Sequence, residues 1–250
     1  LFRNTAKKNS IGRCGEDENT LIIFLSDNGG IDQRLGFKEF PVPNPHNPIL
    51  QPDLIEYDNV PLRAGKGSAY EGGVRVPCII HWPGNIKAGT VVKTTMHAVD
   101  IAPTLFSIAG VRTEHPLDGE DLSPLLSGGD YRNLENRAIF QYYPFYDLRW
   151  GLTPCATIHK GDYKLMEFFG DRFNVNNRYV PGHRIELYNL KEDIGETNDL
   201  SKSNADVTVE LLAELHAWMD KMKAPASSEN AHYNPDSMFV ETRSKPYWIR

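Results

Sequence analysis

The sequence predicts an α/β protein, part of an α/β/α sandwich followed by a small antiparallel sheet packed on a C-terminal helix. Three observations carry that prediction. The stretch Thr20-Leu-Ile-Ile-Phe-Leu-Ser-Asp-Asn-Gly-Gly30 runs apolar residues straight into oxygen-bearing side chains and glycines, as a buried central strand does when it delivers chemistry at its carboxyl end. After residue 137, short β-type runs are separated by turns such as Lys160-Gly-Asp162, the pattern of antiparallel strands. Finally, Val207, Leu211, Leu212, Leu215, Trp218, Met219 and Met222 recur at helical spacing over about 205–222, an apolar face able to cover that sheet.

Composition limits what the chain can be. With 250 residues, 40% of them hydrophobic and 24% charged, it can bury a sizeable core. A net charge of −6 without a basic run argues against a nucleic-acid partner. No apolar stretch approaches the roughly 20 residues of a membrane-spanning helix. The chain opens on Leu1 among polar and basic residues and reads as an internal segment of a longer protein, so a missing leader says nothing about compartment. Cys14, Cys78 and Cys155 are far apart and have no C-x-x-C or zinc spacing. Cys78, within Val76-Pro-Cys-Ile-Ile80, is expected as a small core residue.

Residues 1–19 are polar and lead into the first strand. At its end, Asp27 and Asn28 offer hard oxygen ligands suited to Ca²⁺, and less well to Mg²⁺; Asn28-Gly29 is equally a hairpin-turn dipeptide. Residues 31–62 are too rich in Pro and Asn for regular structure, and a loop this long is usually functional. His46 lies on it, either as a substrate contact or as a solvent-exposed histidine. The segment Leu62-Arg-Ala-Gly-Lys-Gly-Ser-Ala-Tyr-Glu-Gly-Gly-Val-Arg-Val-Pro77 sets Lys66 between glycines, a point positive charge on a backbone that can approach an anion closely. A phosphate-binding P-loop fails on spacing, because Val60 and Gly67 stand where Gly and Ser or Thr are needed.

Residues 76–82 read as a second buried strand, and 91–95 as a short third. Asp100 is then expected to cap a helix with Ile101, Leu105 and Ile108 on one face, stopped by Gly110. Capping accounts for His97 and Asp100 better than a catalytic pair does. Ser127-Gly-Gly-Asp130 marks a boundary. The expected domains are therefore 1–127, the α/β part; 128–224, a small α+β subdomain; and 225–250, an extended tail.

These segments together resemble the sulfatase family, relatives of alkaline phosphatase. The resemblance rests on Leu21-Ile-Ile-Phe-Leu-Ser-Asp-Asn-Gly29 and the Lys66 segment. It continues through Val99-Asp-Ile-Ala-Pro-Thr-Leu-Phe-Ser-Ile-Ala-Gly110, Asp118-Gly-Glu-Asp-Leu-Ser-Pro-Leu-Leu126, Lys160-Gly-Asp-Tyr-Lys164 and Glu186-Leu-Tyr-Asn-Leu-Lys-Glu-Asp-Ile-Gly-Glu-Thr-Asn-Asp-Leu200. It covers about residues 20–222 and implies the C-terminal half of an alkaline-phosphatase-like enzyme. The implied reaction is hydrolysis of sulfate monoesters of aryl or sugar substrates, by a formylglycine made from Cys or Ser in C/S-x-P/A-x-R. It further implies Asp27 and Asn28 as calcium ligands, Lys66 as the lysine that contacts a sulfate oxygen, and a secreted, periplasmic or lysosomal-type compartment.

The departures are specific. None of the cysteines sits in the maturation motif, and no Asp-Asp pair supplies further calcium ligands. Gln141-Tyr-Tyr-Pro-Phe-Tyr146 stands where many relatives carry Trp-His-x-Pro-x-Tyr. Tyr142, Tyr143, Tyr146 and Trp150 are suited either to stacking on a sugar or to packing. A phosphodiester or phosphonate hydrolase of the same superfamily, and a non-catalytic binding protein that kept the fold, remain open. Two geometric expectations follow. Glu71 and Arg75 should form a structural ion pair or a backbone clamp, because a buried charge without a partner is costly. Lys66 should converge with Asp27 and Asn28 on one polar pocket, at the ends of adjacent parallel strands.

Overall fold

The computed structural model describes residues 19–31, 59–129, 132–145, 152–170, 172–173, 179–180 and 182–225. His46, Tyr146, Trp150, Cys14, most of the 31–62 loop and the tail beyond 225 lie outside them. The chain forms two compact units, 1–26 with 77–137 and 27–76 with 138–250.

In the first unit, β1 (Ile22–Leu25) pairs with β2 (Cys78–His81) in a two-stranded sheet. The pair is antiparallel, Ile22 opposite His81 and Leu25 opposite Cys78, which corrects the expected parallel arrangement. Its cause is chain path. The Gly29 amide bonds the Gly73 carbonyl at 2.9 Å, so the long excursion ends beside where it began and the chain re-enters in the opposite direction. Both strands alternate in exposure and are not continuously buried. Cys78 is accordingly half-buried, not a core residue.

Residues 91–95 form no strand. Val91 and Val92 are exposed, and no ladder partner satisfies their backbone. The helix that follows, α1 (Ile101–Ile108), stops as expected before Gly110, whose φ of 66° suits a residue without a side chain. Asp100 makes no side-chain cap on it. Its carboxylate instead accepts from the His97 amide at 2.7 Å, the Glu120 amide at 2.9 Å and the Arg137 guanidinium. His97 caps the short turn before the helix, its Nδ1 accepting from the Val99 amide. Neither residue is set up for catalysis. Leu122, Leu125 and Leu134, with Met96 against them, make the apolar cluster here.

The second unit centres on a four-stranded antiparallel sheet in the order β3 (Ala138–Tyr143), β4 (Cys155–Lys160), β5 (Tyr163–Phe168), β8 (Arg184–Asn189). The strands β6 (Arg172–Phe173) and β7 (Tyr179–Val180) pair apart from it. β4 and β5 meet at the two-residue turn Gly161-Asp162, where Gly161 takes a φ of 58°. The sheet is covered on both faces, unusually for an antiparallel one. On one face, Ala156, Ile158, Leu165 and Leu187 pack with Leu211 and Leu215 of α2 (Ala205–Met222); burying each leucine stabilises by about 1.5–3 kcal/mol. Phe140 stacks on Trp218 with ring centroids 4.8 Å apart. Met222, expected on that apolar face, is 53% exposed because it lies in the helix's last turn. On the opposite face, Cys155, Met166, Phe168, Tyr188 and Leu190 pack against Ala69 and Tyr70, and so seat the loop that carries Lys66.

Candidate functional site

Two backbone hydrogen bonds and the Asn59 side chain build the site from two segments far apart in sequence. After β1 the chain bends at Asp27-Asn28, and the Gly29 amide bonds the Gly73 carbonyl. The Lys66 amide then bonds the Gly30 carbonyl at 2.8 Å. Asn59 Nδ2 reaches both Gly30 O, at 2.8 Å, and Ala64 O, at 3.1 Å. The hairpin reading of Asn28-Gly29 therefore fails, since these residues dock on a loop over thirty positions away and not on a returning strand.

Glycine is required by proximity. A Cβ on Gly29 would lie 1.8 Å from the Gly72 carbonyl oxygen, one on Gly72 2.0 Å from Ala64 O, and one on Gly73 2.1 Å from Ser68 O. No side chain fits any of these. Around Lys66 the chain reverses tightly, with Ala64 at φ 57° and Gly67 at φ 84°. The Ala64 value is costly for a residue with a Cβ. It persists because the Ala64 carbonyl is held by Asn59, and the Gly72 amide bonds the adjacent Arg63 carbonyl at 2.8 Å.

Asp27 is exposed, and Asn28 and Lys66 are half-buried. Asn28 Nδ2 donates to the Gly29 carbonyl at 2.9 Å. A carboxylate and an amide oxygen suit a hard divalent ion, although two residues supply only part of the roughly 6–8 oxygens that calcium takes. Among the described residues, no group of three or more His, Cys, Asp and Glu side chains could hold a metal.

Beneath the loop lies a layer of charge. The expected pair is present, Arg75 Nε meeting Glu71 Oε2 at 2.5 Å, and it extends further than the sequence indicated. Lys164 Nζ on β5 lies 3.0 Å from Glu71 Oε1 and 2.9 Å from Glu196 Oε1, while Glu196 Oε2 accepts the Glu71 amide at 2.7 Å. Arg63 lies 3.6 Å above the Tyr70 ring centroid and donates to Tyr188 Oη and the Glu196 carbonyl. Glu186 Oε2 accepts from both the Tyr70 and Tyr188 hydroxyls.

Burial opposes the charge on Glu71, but Lys164 and Arg75 outweigh it and hold its carboxyl below the usual range. For Glu196 burial prevails over Lys164 and the Glu71 amide, and its carboxyl is pushed up. Burial also works against the Lys164 ammonium, yet Glu196 and Glu71 keep its pKa above the ordinary value. Cys155, pushed up to about 12 by burial, remains a thiol and is no nucleophile.

Lys164, Glu196 and Arg63 were not singled out from sequence. The signal available was their place in the segments Lys160-Gly-Asp-Tyr-Lys164 and Leu62-Arg63 and in the run after Glu186; nothing local marks these charges as buried. Tyr142 and Tyr143 are half-buried on β3, with the Tyr142 hydroxyl donating to the Pro225 carbonyl.

Comparison with known proteins covers nearly all of these residues. The Sulfatase family model matches residues 9–111, and the model for N-sulphoglucosamine sulphohydrolase, C-terminal, matches residues 65–224. The chain is 33% identical over 227 residues to a sulfatase of Formosa agariphila, covering 84% of this chain and 35% of that protein. Against arylsulfatase A of Homo sapiens it is 31% identical over 220 residues, covering 82% of this chain and 38% of the relative. Among solved structures, Ps i-CgsB in complex with k-i-k-neocarrahexaose matches at 27% identity and a TM-score of 0.60, over 84% of this chain and 38% of that one. A protein solved with D-glucosamine-2-N,6-O-disulfate matches at 24% identity and a TM-score of 0.65, over 90% and 39% of the two chains, a likeness of fold. The chain thus spans 35–38% of the length of these two curated relatives.

Proposed function

This chain belongs to the sulfatase family, and on that premise we propose that it is the C-terminal part of a sulfuric ester hydrolase acting on sulfate monoesters. Residues 1–127 then contribute to its catalytic α/β domain, 128–224 form a smaller subdomain and 225–250 a tail. The observation that carries this reading is the pair of backbone contacts, Gly29 to Gly73 and Lys66 to Gly30, that joins the Asp27-Asn28 bend to the lysine loop. The arrangement suits the singly charged, tetrahedral sulfuryl group of a sulfate monoester. The Lys66 ammonium faces one sulfuryl oxygen, and the Asp27 carboxylate and Asn28 amide oxygen would hold the family's metal ion, in our reading Ca²⁺. Such an ion, when bound, withdraws charge from the sulfuryl oxygens so that a nucleophile can approach. Lys66 does the same from its side, as a preorganised charge where negative charge develops. Lys66 is the catalytic and substrate-binding residue of this segment, with His46 a further substrate contact.

The nucleophile is a formylglycine supplied by sequence upstream of these residues, since none of Cys14, Cys78 and Cys155 lies in C/S-x-P/A-x-R. A sugar sulfate is the favoured substrate over an aryl sulfate. The neocarrahexaose complex of a structural relative supports that choice, whereas Tyr142 and Tyr143 on β3 pack against the core clusters on opposite faces of the sheet.

The test compares this chain with one extended upstream and produced with the formylglycine-generating enzyme. Titration calorimetry with calcium and assays on sulfate, phosphate and phosphonate esters are run on both. The extended protein should bind calcium and hydrolyse the sulfate ester, and Lys66→Ala should lower its kcat about 10²–10³-fold. Turnover by the short chain would show the nucleophile to be misplaced. Preferred turnover of the phosphonate ester, or no turnover at all, would replace this reading by a phosphonate hydrolase or a non-catalytic binding protein.

A further inference from the structure

Three deeply buried charges of the second unit lie beneath the lysine loop. The Lys164 side chain is 2% exposed, that of Glu71 5% and that of Glu196 0%. Apolar residues filling the same volume are commonly as stabilising as such ions or more so, so their retention points to something they specify. Lys164 projects from the sheet, with His159 and Tyr188 as its cross-strand neighbours. Both of its carboxylate partners lie off the sheet. Glu71 follows Lys66 in the same loop, and Glu196 lies in the turns after β8 and also takes the Glu71 amide. Apolar packing of Ala69 and Tyr70 fixes how close the loop lies, but such contacts are non-directional. Charge-assisted hydrogen bonds fix register.

We propose that Lys164 is the positioning residue for both halves of the candidate site. Its ammonium gathers Glu71 and Glu196 and so sets residues 71–73. Those residues in turn hold Gly29 through the Gly73 carbonyl and Arg63 through the Gly72 amide. From there the Lys66 amide on the Gly30 carbonyl fixes the lysine against the Asp27-Asn28 bend. The small sheet is thereby part of the active site although it contributes no group that touches substrate. This inference rests on the reading of Lys66 as the sulfate-facing cation.

The test uses the upstream-extended protein and two readouts. Lys164→Met should lower kcat/KM on a sulfate ester about 100-fold, mostly in kcat, as a misplacement of about 1 Å does. Hydrogen exchange at the Lys66, Gly29 and Gly72 amides should quicken, while the β5 and β8 amides of Leu165 and Leu187 stay as protected as in the parent. Lys164→Met combined with Glu196→Gln should recover part of the activity, because the stranded second carboxylate is gone. Unchanged kcat/KM and exchange would overturn the proposal, as would faster exchange spread evenly over the sheet without rescue. If Lys164→Met does not fold, Glu196→Gln alone should give about a tenfold loss with faster exchange at Lys66, and its silence on both would count equally against us. Exchange is read without substrate, so an inactive parent would sink the sulfatase reading while leaving the positioning test intact.

Discussion

Asp100 in the first unit and Glu196 in the second are both fully excluded from solvent, yet burial moves their charge in opposite directions. Asp100 collects two backbone amides and an arginine fork of its own. These outweigh its desolvation and hold the carboxyl below the usual range. Glu196 has one amide and must share Lys164 with Glu71, and its carboxyl is pushed up. Depth alone therefore does not decide ionisation; the number of donors committed to each carboxylate does. The first arrangement anchors a fold, while the second leaves an internal charge whose balance depends on where a loop sits.

The largest effect should come from Asp100→Ala, which strands Arg137 at 15% exposure. A loss of about 3–5 kcal/mol is expected from breaking a buried pair on one side, read by urea unfolding. A loss below about 1 kcal/mol would mean that Arg137 finds water as readily as it found Asp100.

Glu71→Gln and Glu196→Gln sharpen the comparison at intermediate size. Near neutral pH the first should cost about 1.5–3 kcal/mol, the range for hydrogen bonds to charged groups, and the second less. Their pH dependence should differ in sign. The lowered carboxyls, Glu71 and Asp100, contribute stability that is complete above their ordinary values of 4.5 and 3.8. That contribution is lost as pH falls through the lowered folded values. Glu196, raised from 4.5, contributes below that value and loses its contribution as pH rises through the raised one. Glu196→Gln should therefore gain on the parent as pH climbs from 4.5 through the raised value, while Glu71→Gln should fall behind only below 4.5, as pH climbs from the lowered value. Parallel curves would show that the two carboxylates titrate as one.

The smallest effect is expected at Lys160, whose ammonium meets Glu214 at 2.6 Å on the helix-covered side with both side chains about a third exposed. Solvent screening leaves such a pair worth about 0.2–1 kcal/mol. A double-mutant cycle exceeding that range would mean that exposure is a poor guide to these charges.

Much of the second unit was legible because its elements are local. Helix α2 and the strands from 138 to 189 announce themselves by periodicity, and the Gly161-Asp162 turn by composition. The pairing of β1 with β2 was not, since direction depends on a return path through residues outside both strands. The Lys66 loop was legible as a glycine-framed cation, and the Glu71-Arg75 pair followed from the cost of burial. Lys164 escaped notice because an alternating strand with one lysine looks half-solvated. Its face is covered by a loop contributed from the other end of the sequence, which no local window contains. Asp100 was read as a helix cap for the same reason, its partner Arg137 lying 37 positions away.

The separation between the lysine loop and its seat has a consequence for synthesis. Lys164 follows Glu71 by 93 residues, and Glu196 follows it by 125. At elongation rates of about 5–20 residues per second, the loop leaves the ribosome roughly 5–20 s before the strand that receives it. Through that interval Ala69 and Tyr70 have no sheet to pack on, and the Glu71 carboxylate has Arg75 as its nearest cation. The segment that carries Lys66 is thus made well before the strand and turns that receive it, and a nascent chain must keep it from other apolar surfaces meanwhile.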